Sequence, residues 1–595
     1  MVNITINNKR ISVAEGTSIL DAAKENNILI PNLCYLEGIH KIGSCRICVV
    51  EVEGMKNLQA SCITTVREGM VIYTNSHRVK KTRKVLFELM LSDHPQDCLS
   101  CQRSRKCELQ QLGEQIQINE PRFQGQKSKG VMDSSSPSIT RDTSKCILCR
   151  RCVTVCNEIQ GIGALNPQNR GFKTQIGPAM ELPLNSVNCA NCGQCTVVCP
   201  VGALVETDAT ERVWKALLDK NVRVIVQTAP AIRAALGEEF GFAPGTLVTG
   251  KMVNALKQLG FDDVFDTNFT ADLTILEEGN EFLQRVTKPL TGGNATLPMI
   301  TSCSPGWIKF IEHSFPWELD HLSSCKSPHM MLGALAKSFY AEKLGLDPKN
   351  IFVVSIMPCT AKKFEVVRPE MINNHVADVD AVLTTRELAR MIKEAGIEFL
   401  ALEDAAFDNP LGLSTGAADI FAVTGGVMEA ALRTVYEVVT GREIPFAKLH
   451  VTPLVGFNQI KTAELSIENP RDEYKFLEGV TVKVAVTSGL KGAKILMDQI
   501  AKGESPYHFI EVMGCPGGCI SGGGQPRPTT PEIRQKRLQA IYQEDEGKSL
   551  RKSHQNPLVE ALYKEYLKEP LGHKSHELLH THYTKRGQFN QLLDK

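Results

Sequence analysis

Apolar residues fall into two textures along the chain. At the N-terminus they come in short alternating runs. Ile4 and Ile6, then Ile11 and Val13, flank Asn7-Asn8, a dipeptide suited to a tight hairpin turn, so residues 1 to about 75 read as a small β-rich unit. Thr17 is the expected N-cap of a helix through Asp21 and Ala22. Residues 78–91, RVKKTRKVLFELML, carry a helical apolar pattern whose basic side reads as a solvated face rather than a partner surface. The stretch QGQKSKGVMDSSSPS, Gln124 to Ser138, is polar and aperiodic and reads as a linker. Beyond about 210, buried-strand patterns alternate with helical ones, which predicts an α/β architecture. The apolar runs are VRVIVQ from Val222, LPMITSC ending at Cys303, IFVVSIMPC ending at Cys359, DIFAVTGG from Asp419, VTVKVAV from Val480 and HFIEVMGC ending at Cys515. Three of them end in cysteine. Open α/β sheets gather ligands beyond the carboxyl ends of their strands, so these distant cysteines are expected to converge. The tail from about 530 carries two helical segments, PEIRQKRLQAIYQEDE and NPLVEALYKEYL, expected to pack against the preceding domain.

Composition narrows the function classes. The 595 residues hold 67 Lys+Arg against 66 Asp+Glu, so there is no electrostatic footprint for nucleic acid or an anionic membrane. Apolar runs are far shorter than the ~20 residues of a bilayer span, and MVNITINNKR lacks a secretory pattern. A cytoplasmic protein is expected. Disulfides are rare in that compartment, so 20 cysteines point to metal or redox centres.

Cysteine spacing sorts them. Cys146, Cys149, Cys152 and Cys156, then Cys189, Cys192, Cys195 and Cys199 before Pro200, repeat the C-x2-C-x2-C-x3-C run of a bacterial ferredoxin with two [4Fe-4S] clusters. The fourth cysteine of each run reaches the other cluster, which assigns Cys146, Cys149, Cys152 and Cys199 to one and Cys189, Cys192, Cys195 and Cys156 to the other. Asn157 departs from the usual Pro after the first run. Cys34, Cys45, Cys48 and Cys62, inside the β-rich unit, resemble a plant-type [2Fe-2S] ferredoxin module. His94, Cys98, Cys101 and Cys107 form H-x3-C-x2-C-x5-C and resemble the His-ligated [4Fe-4S] site of the complex I iron–sulfur subunit and of some hydrogenases. Zinc is the alternative at each of these sets.

Five cysteines remain: Cys303, Cys325, Cys359, Cys515 and Cys519. Their contexts, TSCSPGW, LSSCKSPHM, MPCTAKK and EVMGCPGGCISGGGQP, include segments that resemble the three signature segments of the [FeFe]-hydrogenases. The resemblance covers nearly the whole chain. It implies an α/β catalytic domain holding an H-cluster, a [4Fe-4S] cubane bridged to a di-iron dithiolate unit with CO and cyanide ligands. Before it would come a β-grasp [2Fe-2S] ferredoxin-like module, a His/Cys3 [4Fe-4S] module and an α+β 2[4Fe-4S] ferredoxin-like module. The implied boundaries are 1–77, 78–124, 137–209, 210–526 for the catalytic domain and 527–595 for a helical C-terminal segment.

Carried over by position, Cys359, Cys515 and Cys519 match cubane ligands, with Cys519 bridging to the di-iron unit. Cys303 matches the proton-transfer thiol, and Ser304 stands where the family has its fourth cubane ligand. The expectation is that Cys325 supplies the missing thiolate; Ser304 oxygen ligation, or ligation by Cys303, are the simpler alternatives. Glu281, Ser323, Glu278 and Arg285 match the family's proton route, and EEGNEFLQR sets its acids on one helical face. Lys362 matches the partner of a cyanide ligand. Pro230, Met357, Met513 and Phe421 match apolar walls, while Ala231 and His329 stand where serine and glutamine are common.

The resemblance implies reversible H2 oxidation and proton reduction, with electrons relayed through one [2Fe-2S] and three [4Fe-4S] clusters to ferredoxin. The Ser304 variant resembles catalytic subunits of multimeric NAD(P)-linked and electron-bifurcating hydrogenases. No dinucleotide fingerprint or P-loop is present, so a flavin/NAD(P)-binding subunit would be a partner, alongside maturation enzymes. Two other readings remain: an electron-wiring subunit of complex I or formate dehydrogenase type, which leaves MPCTAKK and GCPGGC idle, and an H2 sensor, for which no signalling domain is evident.

Overall fold

In the computed structural model, residues 1–118, 122–290, 292–373 and 375–587 are described. Strands Val2–Ile6 and Lys9–Val13 form the N-terminal hairpin, with Asn7 and Asn8 both left-handed at φ 50° and 68°. Val71–Tyr73 lies parallel to Val2–Ile6, and Val49–Val52 with Gln59–Ala60 completes a five-stranded sheet. Helix Ile19–Glu25 closes one face. Its cap is Ser18, whose Oγ accepts from Asp21 N at 3.1 Å, one residue beyond the expected Thr17, which still belongs to the preceding turn through Thr17 N to Ala14 O.

Helix His77–Asp93 covers the predicted 78–91 segment, but its basic side is not uniformly solvated. Arg83 is buried and donates to the Ile47 and Val49 carbonyls, tying this helix to the β-rich unit. The expected linker is shorter than read, because Met132–Asp133 pairs with Ile139–Asp142, itself paired with Leu204–Glu206. The buried Asp133 carboxylate accepts from Leu184 N, an anchor that polarity alone does not reveal.

The C-terminal half carries two four-stranded sheets. In the first, Asp263–Asp266, Arg223–Thr228, Ile351–Met357 and Ala381–Thr384 are all parallel. In the second, Met299–Ile300, Phe509–Met513 and Thr481–Ser488 are parallel, with Ile460–Ser466 as an antiparallel edge. Central strands such as VVSIM and FIEVM are buried on both faces, so they read as continuous apolar runs. The run from Asp419 is the exception, forming the end of helix Gly416–Asp419 and a 3-10 turn Ile420–Ala422 instead of a strand. Its residues are buried on every side, and a fully buried run has no alternation to separate strand from helix. Arg233 and Asn268 pin Asp419 at 2.7 and 2.6 Å, fixing the segment as a corner.

The tail helices are Pro531–Gly547 and Pro557–Leu562, the first capped by Thr530. Buried Arg537 ties the first to Glu238 and to the Ile520 carbonyl. The following segment inserts into the catalytic half: Lys326 N donates to Leu579 O, and Cys325 forms a backbone bridge with His580. No described helix is long and apolar enough to cross a membrane.

Candidate active site

Sequence spacing becomes proximity in the first cysteine set and in the ferredoxin-like pair, and between Cys101 and Cys107 of the set between them. In the first module Cys34, Cys45, Cys48 and Cys62 are buried together, with Cys48 Sγ 3.4 Å from Cys62 Sγ and Cys34 contacting Cys45 and Cys62. In the next, Cys107 lies in the field of Cys101, Cys98 is exposed, and the Nδ1 of His94 is buried with no hydrogen-bond partner among the described residues. An orphaned buried imidazole nitrogen is costly unless it coordinates something, which suits a metal donor. Cys146, Cys149, Cys152 and Cys199 line one small cavity of about 20 Å³. Cys156 interacts with Cys189 and Cys192 instead, so the fourth thiol of each run crosses to the other group.

In the catalytic half, the loops beyond the strand ends close a cavity of about 90 Å³. Ala229 and Pro230, then Met357, Pro358 and Cys359, come from the first sheet; Cys303 and Ser304, then Met513 and Cys515, come from the second. Cys519, Lys362, His329 and Phe421 complete the part of the wall foreseen from sequence, and Thr267, Ala271, Pro305 and Pro328 were not foreseen.

Two expected members are not in this wall. Ala231 is buried in the layer of Met299 and Phe421, and its carbonyl accepts from Gln525 Nε2 at 3.1 Å. Cys325 is the larger correction. Its carbonyl accepts from Ser302 Oγ at 2.6 Å and its backbone bridges to His580, so the thiol faces Glu281 and His580 on the far side of the Thr301–Pro305 segment. Ser304 lines the cavity in its stead. Its Oγ accepts from Gly514 N at 3.1 Å, which sets the hydroxyl beside Cys515, and a Cβ at Gly514 would come within 2.9 Å of that oxygen.

Lys362 is mostly buried, and its Nζ donates to the Cys303 carbonyl at 3.1 Å and to Glu365 at 2.8 Å. Glu365 was missed from sequence, although its i+3 spacing from Lys362 in KKFE was legible. Burial works to raise its pKa, but Lys362 and His329 outweigh this and hold it at about 2. Burial and then Lys362 push His329 down to about 4, so the imidazole is neutral; it donates to Glu365 at 2.8 Å and accepts from Ser355 at 3.1 Å. An anionic ligand beside Lys362 therefore meets one fixed cation whose counter-charge is already placed.

Behind Cys303 runs a buried polar line. Helix Thr267–Leu290 carries Glu278, Glu281 and Arg285 on one face. Burial and the neighbouring Glu281 push Glu278 up to about 8, so it holds a proton at neutral pH. Ser323 Oγ donates to Glu281 Oε2 at 3.0 Å, and Arg285 donates to Glu281 Oε1 at 2.6 Å. Burial and Glu278 raise the Cys303 thiol well above its ordinary range, keeping it protonated.

The ferredoxin-like loop packs against the cavity beside Cys359 and Cys515. Gln194 Nε2 donates to Ser521 O at 2.9 Å, Thr360 Oγ1 donates to Asn191 O at 2.8 Å, and a Cβ at Gly523 would fall 2.6 Å from the Cys192 carbonyl. Only glycine permits that approach. Nearby, Lys309 is fully buried on helix Pro305–Ser314, its Nζ without a hydrogen bond among the described residues and attracted toward Cys189. A buried ammonium with no carboxylate bonded to it among the described residues suits an anionic group held by those cysteines.

Known proteins decide the family. Residues 222–523 match the family described as iron only hydrogenase large subunit, C-terminal domain, and 531–586 match iron hydrogenase small subunit. The chain is 52% identical to the NADP-reducing hydrogenase subunit HndD of Solidesulfovibrio fructosivorans, over 98% of this chain and 99% of that one. It belongs to the [FeFe]-hydrogenase family. Iron hydrogenase 1 of Clostridium pasteurianum is 41% identical over 98% of this chain and all of its own length. A solved [FeFe]-hydrogenase, HydA(deltaEFG), superposes with a TM-score of 0.57 at 43% identity, covering 64% of this chain and 99% of that one. Ahead of the hydrogenase domain, 1–77 match a 2Fe-2S iron–sulfur cluster binding domain, 83–122 the NADH-ubiquinone oxidoreductase-G iron–sulfur binding region, and 136–205 the ferredoxin-like domain of NADH-quinone oxidoreductase subunit 3. This [FeFe]-hydrogenase therefore combines an H-cluster domain with accessory [2Fe-2S] and [4Fe-4S] domains. Its residues fit those groups: all 20 cysteines are free of disulfides, and four of them, Cys303, Cys359, Cys515 and Cys519, line the cavity together with apolar Pro230, Phe421 and Met513.

Proposed function

We propose that this hydrogenase interconverts H2 with protons and electrons in the 90 Å³ cavity, using Cys303, Glu278, Ser323, Glu281 and Arg285 to move protons. The convergence of Cys303, Cys359, Cys515 and Cys519 on that cavity, with the ferredoxin-like loop against one side and the buried acids against another, carries the reading. Cys359, Cys515 and Cys519 would hold the cubane, with Cys519 also holding the di-iron unit, and the Ser304 oxygen would be the fourth donor. When bound, the H-cluster supplies an open Lewis-acidic iron and an adjacent base, the pair that heterolytic H2 cleavage needs.

The protein's part is positional. Lys362 holds the anionic ligands on one side, while Pro230, Met357, Phe421 and Met513 exclude water from the reacting atoms. The Cys303 thiol exchanges a proton with Glu278, Ser323 passes it to Glu281, and Arg285 keeps Glu281 oriented toward the exit. Because burial sets Glu278 near 8, H2 evolution should fall as pH rises through that value, where the acid no longer recovers its proton. Glu278→Gln should lower turnover by about 10²–10⁴-fold, with the clusters intact, and Glu278→Asp should retain a pH limb at a shifted position. A pH–rate series on the three proteins checks this.

The remaining sets would hold one [2Fe-2S] cluster (Cys34, Cys45, Cys48, Cys62) and three [4Fe-4S] clusters (His94 with Cys98, Cys101 and Cys107; Cys146, Cys149, Cys152 with Cys199; Cys189, Cys192, Cys195 with Cys156). Electrons pass from the cavity to the Cys189–Cys195 loop and outward through modules bounded at about 1–77, 78–124 and 137–209. Two N-terminal clusters suit more than one electron partner, namely ferredoxin and a flavin subunit that binds NAD(P), as the relative named an NADP-reducing hydrogenase subunit supports. The reading places the protein in the cytoplasm, where maturation enzymes install the di-iron unit. Matured protein should evolve H2 from a reduced dye and oxidise H2 with an artificial acceptor. Absence of both activities in protein with full iron content would overturn it.

A further inference from the structure

The thiol that fails to reach the cavity has its own surroundings. Cys325 Sγ, a Glu281 carboxylate oxygen and a His580 ring nitrogen all lie within 4.8 Å of one another. Cys325 is 1% exposed and His580 8%. The three come from separate parts of the chain: the catalytic helix Thr267–Leu290, the loop after Leu322 and the C-terminal segment. Thiolate, imidazole and carboxylate together are a soft, mixed donor set that suits Zn²⁺ and related divalent ions.

The outer groups are arranged as such an ion requires. His580 Nε2 faces the Glu277 carboxylate at 3.1 Å, and Glu277 also accepts from Tyr563 OH at 2.5 Å and from Leu571 N at 2.9 Å. A carboxylate on one imidazole nitrogen fixes the tautomer that presents the other nitrogen's lone pair, the arrangement common behind zinc-bound histidine. That other nitrogen, Nδ1, lies 2.8 Å from Ser324 Oγ and accepts its one proton, while the same Oγ is 3.3 Å from a Glu281 oxygen. The Ser324 hydroxyl thus lies beside two of the three donors. A tetrahedral ion needs its ligand atoms about 3.3–3.8 Å apart, so small side-chain rotations close the set. The acidic groups facing it are Glu277, Glu278 and Glu281, and Arg285 is the cation bonded to Glu281. His576, exposed and 4.3 Å from His580 ring to ring, marks the way in from solvent.

We propose that Cys325, His580 and Glu281 form a binding site for Zn²⁺ that closes the proton exit of this hydrogenase. Binding exchanges the Cys325 thiol proton, released to solvent, for the metal, and takes the Glu281 carboxylate that Ser323 and Arg285 otherwise share. The site stands on its own geometry; its effect on turnover rests on the proton line proposed above.

Holoenzyme titrated with Zn²⁺ is expected to take up one equivalent that Cys325→Ala and His580→Asn do not, with a zinc X-ray absorption spectrum of one sulfur among nitrogen and oxygen ligands. Turnover of the native protein should fall with that equivalent and recover on chelation, whereas Cys325→Ala stays active at the same zinc level. Glu277→Gln should weaken the ion by about 10–100-fold. Equal zinc uptake by the native protein and both variants would overturn the site. Zinc bound through sulfur without loss of turnover would overturn the closure and, separately, the route through Glu281.

Discussion

Cys303→Ala should lower H2 turnover by about 10²–10⁴-fold while leaving iron content unchanged. The thiol lines the cavity and sits in the field of Glu278, whose own carboxyl is protonated at neutral pH. Removing it leaves Glu278 with no group to hand a proton to at the cavity wall. Lys362, whose Nζ is held by the Cys303 carbonyl and not by its side chain, keeps its place. The loss should therefore appear in turnover and not in cluster assembly, read by comparing H2 evolution with iron content and infrared spectrum on the same preparation. Loss of iron in Cys303→Ala would mean instead that this thiol is a ligand.

The second large effect separates Cys519 from Cys325. Cys519→Ala is expected to abolish activity and to yield protein without the di-iron unit, because Cys519 lines the cavity that would hold it. Cys325→Ala is expected to keep full iron and, without added zinc, near-native turnover, because its thiol faces Glu281 and His580. Ser304→Cys should keep activity as well, since the hydroxyl it replaces sits beside Cys515, held by Gly514 N. Iron analysis and H2 evolution on the three variants check the set. Iron loss in Cys325→Ala would restore the fourth-ligand role that the fold argues against.

Much of this site could be read from the chain because thiol spacing and strand-end position are local signals. The runs ending at Cys303, Cys359 and Cys515 do converge, as the topology of open α/β sheets requires. Cys325 misled because counting thiols against ligand positions ignores direction. Its neighbour Ser302 and the tail residue His580 fix the local backbone, and neither contact has a signature in sequence. The tail itself reads as packing, yet it brings His580 and Tyr583 to the Ser323–Ser324 segment beside the proton line. Residues 531–586 of it match a family of their own, the iron hydrogenase small subunit. Asp419–Val423 was missed for a different reason: a segment buried all round carries no period, and its shape is set by Arg233, 186 residues away.

Thiols from separate strand ends close on one cavity that would hold the di-iron unit. Infrared spectroscopy of the matured protein tests it most directly. Native protein and Cys303→Ala should both show CO and cyanide stretching bands, and Cys519→Ala should show none. Their absence from fully matured native protein, or their persistence in Cys519→Ala, would mean that this cavity does not carry the di-iron unit through Cys519.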